Sequence, residues 1–442
     1  MTLSVYVLGR EVATLEAVGD FKSSMTYHPG VAPGDFVSLT MRVRPEPYVW
    51  DDVLHPVFQM NLPEGYLLQV LQEQFGPHVG ASPLALLSVI GRNMIGRIQV
   101  AAPDANLDEP PKPVDVAGLL QGDNSEEAFA ELVRQHATSG VSGVVPKFLD
   151  GDVAKVETGP HKKTTIFTHR HIIKGSSRLL PFVSLNEHLC MQVARRVMTA
   201  AVTEVSQDGQ ALVVHRFDVG ENGERFYGME DFCALLGLRP AAKYETTWER
   251  IARAVRDHVP PVNRATVCRQ MATLLLLTYA LRNADCHAKN VALLYTTHDD
   301  VKLAPAYDMI TTAVYPEYTR NPPGISFMGK KTWDPGKNLQ TFITATFGLP
   351  AREQVDIVDQ IGMAMAEVGP QVRAAMAEHP GFVEIGKRML LSWQEGLAGL
   401  RDKRTYAIGA ADLGEAFTNL SDPKLVKTER QVIGRSDLLG RH

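Results

Sequence analysis

The sequence predicts an α+β fold, in which a mixed α/β N-terminal part precedes a mainly α-helical C-terminal part. Three observations support this prediction. Apolar alternation typical of strands is concentrated before residue 218. Beyond that point, apolar residues recur at the three- and four-residue spacing of helices. The 442 residues also suffice for two or three domains around a large core.

Composition excludes several classes of protein. Apolar residues make up 45% of the chain and charged residues 21%, as in ordinary globular proteins. The net charge of −5 lacks the basic footprint of a nucleic-acid binder, so we expect DNA contact only through a partner. The longest apolar run, residues 271–281, is too short to span a bilayer, and the N-terminus does not resemble a signal peptide. Four cysteines without CxxC spacing argue against a zinc site or disulfide framework, so we expect a cytoplasmic protein with no membrane partner.

The first 101 residues predict a small α/β domain. Strand-type patterns occur in four segments, residues 3–8, 11–15, 36–41 and 98–100. Residues 51–74 have helical apolar spacing interrupted near Pro63. Ser82 followed by Pro83 predicts the capped start of another helix. A proline-rich, acidic stretch at residues 102–114 predicts a linker.

Residues 115–218 predict the N-terminal lobe. A loop of small residues spans 137–147, and its Gly140 and Gly143 would let backbone amides approach a phosphate. A plain flexible turn is the more common alternative. A strand ends at Lys174, and Glu187 lies near the start of the next helix, an order that suits an ion pair orienting a phosphate-binding lysine. Two solvated surface charges are the ordinary alternative.

Residues 219–442 predict the helical lobe. We expect helices over six segments, residues 230–236, 247–259, 265–281, 352–367, 371–378 and 383–397. A hairpin is predicted by two apolar runs, 291–295 and 301–303, on either side of a polar turn.

A polar loop follows the apolar helix that ends at residue 281. Asn290 comes five positions after Asp285, and Asp308 eighteen positions after Asn290. Phosphoryl transfer uses a base for the acceptor hydroxyl and an Asn and an Asp that hold the metal ions on ATP, and the protein-kinase catalytic loop has the same interval of five. The alternative is a polar helix terminus in which Asn283 and Asp285 are turn residues. The order of the glycine loop, Lys174, Glu187, Asp285, Asn290 and Asp308 favours the kinase interpretation.

Cys286 lies next to Asp285 and invites interpretation as a nucleophile. A neighbouring carboxylate raises the pKa of a thiol and so reduces its reactivity. We therefore interpret Cys286 as a packing residue.

Seven short motifs resemble those of the HipA serine/threonine kinase toxins of bacterial toxin–antitoxin systems, and they occur in the family's order. They lie at residues 57–65, 87–96, 213–218, 230–233, 243–245, 285–290 and 304–308. The resemblance implies a protein-kinase-like (HipA-like) two-lobed fold and an ATP- and Mg²⁺-dependent protein serine/threonine kinase. Its expected substrate is a cellular protein of the aminoacyl-tRNA synthetase class. Its expected partner is a small helix-turn-helix antitoxin that binds DNA.

The resemblance also implies roles for individual residues. Asp285 would be the catalytic base, His287 would contact phosphates beside it, and Asn290 and Asp308 would hold Mg²⁺. The ATP-binding residues would be Gly140, Ser142, Gly143, Val144, Lys174, Glu187, His215, Phe217 and Lys289. Within this set, residues 215–217 would form the hinge under adenine, and Ser142 would be the site of inhibitory autophosphorylation, with Ser139 as the alternative.

The sequence departs from the family pattern at two places. His215 stands where the family usually has Glu, and Gly140 replaces the first residue of the usual Ser-x-Ser-Gly loop. One alternative is therefore a catalytically weak pseudokinase that acts as a co-repressor scaffold with its antitoxin. Another is a metal-dependent hydrolase or nuclease using Asp285, His287 and Asp308.

Overall fold

The computed structural model describes residues 1–19, 22–52, 54–62, 68, 71–73, 80, 82–103, 105, 107, 114–139 and 164–420. Its strands are β1 Thr2–Val7, β2 Arg10–Val18, β3 Lys22–Tyr27, β4 Tyr48–Trp50, β5 Ile98–Ala101, β6 Thr164–Phe167, β7 His171–Gly175, β8 Thr203–Val205, β9 Ala211–His215, β10 Gly228–Asp231, β11 Ala292–Thr297 and β12 Asp300–Leu303. Its helices are α1 Pro56–Gln59, α2 Pro83–Ile90, α3 Val116–Gln121, α4 Glu126–Ser139, α5 Val183–Val197, α6 Phe232–Leu235, α7 Trp248–His258, α8 Pro261–Ala280, α9 Gly336–Phe347, α10 Ala351–Glu378 and α11 Val383–Arg401. The predicted α+β class is confirmed.

The N-terminal part is built on an antiparallel sheet of order β4-β3-β2-β1-β5. The predicted first hairpin is confirmed, and its turn residues Leu8 and Gly9 both have positive φ, as a tight two-residue hairpin turn requires. One face of the sheet packs on α1 and α2 through buried Val5, Leu15 and Phe58.

Two predictions for this part were wrong in detail. Residues 36–41 do not form a strand; Ser38 and Met41 make an isolated bridge, and the Tyr27 hydroxyl holds the turn by bonding Val37 N and Met41 O. Within the predicted helix 51–74, α1 is a single turn, and residues 68 and 71–73 are helical again beyond it. Residues 63–67 lie outside the described residues.

A second antiparallel sheet, of order β6-β7-β9-β8, presents Lys174 on β7. Helix α4 packs on one face, where the Phe129 ring lies so close that a Cβ at Gly175 would be 2.6 Å from it. Helix α5 covers the other face with Leu185, Leu189 and Val193. Lys174 therefore lies in a strand that is packed on both faces.

The C-terminal lobe contains α7 to α11 and the small sheet β10-β11-β12. The predicted β11–β12 hairpin and the predicted helices at α7, α8 and α11 are confirmed. The prediction of helix over 230–236 was wrong at its start, because Glu230 lies in β10 and α6 begins after the capping Asp231. The segments predicted as two helices are the single helix α10, which continues through Pro370. Val368 and Val372, on either side of this proline, are fully buried.

Buried charges join the N-terminal part to the C-terminal lobe. Arg97, 2% exposed, donates to Phe36 O and Thr296 O, and its guanidinium lies 4.2 Å from the centre of the Phe36 ring. Glu230 is also buried and accepts hydrogen bonds from Leu39 N, Ser38 Oγ and Tyr295 Oη at 2.7–2.8 Å. Burial raises the pKa of Glu230 above its ordinary value.

A second junction lies after β9. Asp218 accepts from Gly96 N at 2.6 Å and pairs with Arg216, while Arg225 donates to the carbonyl oxygens of Met94 and Arg92. The N-terminal part is thus attached next to the strand exit that the sequence predicts as a hinge.

Composition argues against a disulfide framework and against a membrane-spanning segment. All four cysteines are free thiols. Within the described ranges, no helix is long and apolar enough to cross a membrane.

We predict that Glu230→Ala lowers the free energy of unfolding by about 3 kcal/mol, because three donors lose their acceptor in a buried site. Urea unfolding of the purified protein measures this change. The control is Glu221→Ala, which removes an exposed carboxylate and should change stability by less than about 0.5 kcal/mol. Equal effects of the two substitutions would contradict a structural role for Glu230.

Candidate active site

Lys174 is held between two carboxylates. Its Nζ lies 2.5 Å from Glu187 Oε1 and 2.8 Å from Asp308 Oδ1. Glu187, on the second turn of α5, is 1% exposed. The predicted Lys174–Glu187 ion pair is therefore present, and the same ammonium also reaches the carboxylate predicted to hold a metal ion.

The segment after Asp308 is fastened to α5. Asn186, adjacent to Glu187, donates from Nδ2 to Thr311 O and accepts at Oδ1 from Thr311 N. This pair of hydrogen bonds fixes Asp308 relative to Glu187. Sequence reasoning missed Asn186, because a single amide in an amphipathic helix carries no signal of a partner 125 positions away.

The catalytic loop predicted at residues 285–290 is ordered by its own hydrogen bonds. Helix α8 ends where Arg282 adopts a left-handed conformation with φ of +55°. Asn283 Oδ1 accepts from Asp285 N at 3.0 Å, and Asn290 Nδ2 donates to Asp285 O at 2.9 Å. Thr312 Oγ1 accepts from Ala284 N. The loop therefore brings Asp285 and Asn290 together, as the sequence predicts.

Asp285 is partly open to solvent, with 23% of its side chain exposed. Its Oδ1 accepts a hydrogen bond from the Tyr244 hydroxyl. His287 Nε2 lies 3.9 Å from the same oxygen. Both of these contacts are made at the same oxygen atom of the carboxylate.

His287 is buried, and its ring packs edge-on against Tyr244 with ring centres 4.9 Å apart. Burial lowers the pKa of His287 to about 4, although Asp285 and Asp308 act in the opposite direction. The imidazole is therefore neutral at pH 7 and offers a hydrogen bond but no positive charge.

Asp308 has a φ of +57°, in the left-handed region. Asp tolerates this backbone conformation better than most residues do. Non-glycine residues with this conformation are uncommon and cluster at functional sites. Its side chain is 19% exposed. The Asn290 amide uses its nitrogen for Asp285 O, and its Oδ1 has no hydrogen-bond partner among the residues that the structure describes. Carboxylate and amide oxygens are ligands of the type that Mg²⁺ takes in proteins, so this pair fits the metal. Within the described ranges, no group of three or more His, Cys, Asp or Glu side chains is arranged to hold a metal ion.

The predicted hinge leaves β9 at His215. His215 N donates to Val202 O and Arg216 N donates to Arg170 O, each at 2.9 Å. His215 Nε2 lies 2.6 Å from Glu204 on the neighbouring strand. The Phe217 N–H has no hydrogen-bond partner in the described part of the chain.

Lys289 is connected to the hinge by aromatic residues. Its carbonyl oxygen accepts from the Tyr307 hydroxyl at 2.7 Å, and the Tyr307 ring packs on Phe217 with centres 5.9 Å apart. Burial raises the pKa of Tyr307 well above its ordinary value, so it remains a neutral donor.

The remaining predicted residues of the glycine loop, Gly140, Ser142, Gly143 and Val144, lie outside the described residues. Cys286 is fully buried, and burial raises the pKa of its thiol to about 12, in keeping with a packing role. Tyr244 is the functional candidate that sequence reasoning missed. The motif at residues 243–245 marked its position, but no pattern linked it to Asp285.

Two protein-family descriptions match the chain. The HipA N-terminal domain matches residues 3–101, and the HipA-like C-terminal domain matches residues 139–368, just over half of the sequence.

Two Sinorhizobium fredii proteins, both provisionally named kinases, are related in sequence. Y4mE is 28% identical over an alignment that covers 75% of this chain and 82% of Y4mE. Y4dM is 26% identical over an alignment that covers 71% of this chain and 78% of Y4dM. Among solved structures, HipA from Shewanella oneidensis MR-1, in a toxin–antitoxin complex with HipB and operator DNA, superposes with a TM-score of 0.62. The superposition covers 92% of this chain and 98% of the Shewanella HipA chain, with 17% sequence identity. This similarity shows a common fold.

We predict that Lys174→Met lowers the free energy of unfolding by about 3 kcal/mol, because the buried Glu187 carboxylate loses its partner. The loss in free energy of unfolding should be smaller for the double variant Lys174→Met with Glu187→Gln than the sum of the losses for the two single variants. We expect this difference to be at least about 1 kcal/mol. Urea unfolding of the four proteins measures this coupling.

The matched control is the exposed pair of Arg196, also on α5, with Glu367. Arg196→Met and Glu367→Gln should couple by no more than about 0.5 kcal/mol. A Lys174–Glu187 coupling as small as that of the control pair would contradict the buried ion pair.

Proposed function

The chain belongs to the HipA family, and we propose that it is an ATP- and Mg²⁺-dependent protein serine/threonine kinase acting as the toxin of a bacterial toxin–antitoxin module. The observation that carries the proposal is the convergence of Lys174, Glu187 and Asp308 on one ion-pair cluster. Kinases use this arrangement to place a lysine on the phosphates beside the aspartate that binds the metal. Kinases also carry a base on a separate loop, and Asp285 is suited to that role.

Bound ATP would supply the phosphoryl group, and Mg²⁺ would offset the charge of its phosphates. Asn290 and Asp308 would hold the metal ion, and Lys174 would contribute a compact positive charge to the phosphates. The N–H of Phe217 would meet adenine at the hinge, because the N–H groups of His215 and Arg216 are already bonded within the sheet. A backbone contact does not depend on the side chain at 215, so His215 in place of Glu is compatible with nucleotide binding.

Asp285 would accept the proton of the acceptor hydroxyl. Its partial exposure lets a substrate reach it, and the hydrogen bonds of Asn283 and Asn290 hold its backbone. His287, being neutral, would act as a hydrogen-bond donor near the phosphates rather than as a charge. Lys289 would remain a second cation on the same loop.

The pseudokinase alternative is less well supported. Lys174 pairs with both Glu187 and Asp308, and Asp285 and Asn290 share one ordered loop. A chain that had lost catalysis would be free to lose these buried charges, which are costly to keep. The hydrolase or nuclease alternative leaves the Lys174–Glu187 pair without a purpose.

The solved complex of Shewanella HipA contains HipB and operator DNA. By analogy, we propose that the partner of this chain is a helix-turn-helix antitoxin and that DNA is contacted through that complex. The net charge of −5 suits this indirect contact. The substrate would be a protein hydroxyl, with an aminoacyl-tRNA synthetase as the substrate class to test first. A cytoplasmic location fits the proposal because ATP and the antitoxin-bound operator occur there.

We predict that Asp285→Asn reduces phosphate transfer from radiolabelled ATP by about 10²–10⁴-fold, because an amide cannot accept the proton. Calorimetry should still find ATP–Mg²⁺ binding close to that of the wild type. Wild-type transfer by this variant would refute Asp285 as the base.

Asp308→Ala is the contrasting variant in the same measurements. It removes an anionic ligand and should weaken the Mg²⁺-dependent part of ATP binding, which Asp285→Asn leaves intact. Unchanged Mg²⁺ dependence of binding would refute the metal-ligand role.

We further predict that a second copy of the enzyme phosphorylates Ser142 and thereby silences it. The phosphate would add a charge of roughly −1.5 to −2 in the loop expected over the triphosphate, and repulsion would oppose nucleotide binding. Mass spectrometry after incubation with ATP–Mg²⁺ should locate the phosphate at Ser142, with Ser139→Ala as the control variant. Asp285→Asn should be labelled only when active enzyme is added. An unmodified loop in an active enzyme would end this hypothesis.

A further inference from the structure

The Tyr244 hydroxyl donates a hydrogen bond to Oδ1 of Asp285. Tyr244 does not belong to the catalytic loop; it precedes Asp285 by 41 positions, between the short 3-10 turn Pro240–Ala242 and helix α7. It thus reaches the proposed base from a separate segment of the C-terminal lobe.

The backbone beside Tyr244 is fixed from two directions. Ala288 N, within the catalytic loop, donates to Lys243 O at 3.0 Å. On the other side, Lys331 Nζ donates to Tyr244 O at 2.8 Å and to Gly324 O at 2.5 Å. The Tyr244 ring itself packs edge-on against His287.

Residues 321–332, which we call the strap, form the outer support. The strap lies directly on the catalytic loop, since a Cβ at Gly324 would be 2.3 Å from Cys286 O. It is tied to the start of α7 by the hydrogen bond from Trp248 N to Ser326 O at 2.9 Å. Tyr244 therefore lies in a rigid frame made by the catalytic loop, the strap and α7.

We propose that Tyr244 is a positioning residue for phosphoryl transfer, whose hydroxyl holds Oδ1 of Asp285 so that Oδ2 receives the proton of the acceptor hydroxyl. This inference rests on the proposed kinase function. In the reaction, the acceptor oxygen bonds to the γ-phosphorus of ATP and the bond to the bridging β–γ oxygen breaks. ADP leaves, the acceptor proton passes to Asp285, and Tyr244 keeps its own proton throughout.

The alternative role for Tyr244 is a gate, in which its hydroxyl occupies the place of the acceptor and must leave before reaction. A gate requires a segment that can move. The hydrogen bonds at Lys243 O and Tyr244 O restrain the backbone on both sides, and the ring is packed on the buried His287. The geometry therefore favours a fixed support.

The test compares Tyr244→Phe with the wild type in ADP release at varied ATP concentration, with water and casein as acceptors. The substitution removes only the hydroxyl. We expect kcat to fall by about ten- to a hundredfold, the loss associated with one hydrogen bond to a charged group. KM for ATP should change by less than about twofold, because the ring and its packing remain.

Tyr406→Phe is the matched control, since the buried Tyr406 hydroxyl donates to Gln354 Oε1 in the same lobe but belongs neither to the strap nor to the catalytic loop. It should leave kcat unchanged. The double variant Tyr244→Phe with Asp285→Asn should be no slower than Asp285→Asn alone, because Tyr244 acts through that carboxylate.

Each outcome bears on a separate claim. If Asp285→Asn abolishes turnover but Tyr244→Phe matches the wild type, the positioning role is wrong and the proposed function stands. A Tyr244→Phe variant that is faster than the wild type, or a further loss in the double variant, would likewise overturn the inference. If Asp285→Asn turns over normally, the proposed base is wrong, and the role of Tyr244 falls with it.

Discussion

The site depends on one buried ammonium group. Lys174 pairs with Glu187 and Asp308 at once, and these carboxylates come from a helix and from the segment after a hairpin. The neutral His287 lies close enough to Asp285 and Asp308 for both carboxylates to act on its pKa. Asn290 and Asp308 supply oxygen atoms of the type that a divalent cation takes in proteins.

The N-terminal part is attached to this site through the protein interior rather than by its chain connection alone. Asp218 and Arg225 bind it beside the hinge, and Glu230 and Arg97 bind it to the β10-β11-β12 sheet. Buried charges with several hydrogen bonds fix orientation more strictly than apolar contact does, because each misplaced donor costs free energy. The N-terminal part therefore supports both the strand exit predicted as the hinge and the sheet that precedes Asp308.

The sequence allowed much of the site to be predicted, since local patterns carry it. Lys174 at a strand end, Glu187 on the following helix and the interval from Asp285 to Asn290 are all short-range signals. Residues whose roles depend on distant partners were missed: Glu230 was assigned to a helix, and Tyr244 had no assigned role. Their partners lie 191 and 41 positions away in the chain. Residues 36–41 were predicted as a strand because a buried turn has the same apolar pattern as an edge strand, and only the Tyr27 hydrogen bonds distinguish them.

Backbone strain in the site supports a preorganised geometry. Arg282 and Asp308 both hold the left-handed conformation, which costs a non-glycine residue about 1 kcal/mol or more and persists only where neighbours enforce it. Thr312 binds the loop through Arg282 O and Ala284 N, and Asn186 binds Thr311 next to it. Hydrogen bonds therefore hold both strained residues before any ligand arrives. The dipoles of such a site need not reorganise during the reaction. Fixed charges lower the activation free energy most under this condition. Tyr244 extends the same principle to Asp285, the proposed base, because its hydroxyl restrains Oδ1 of that carboxylate.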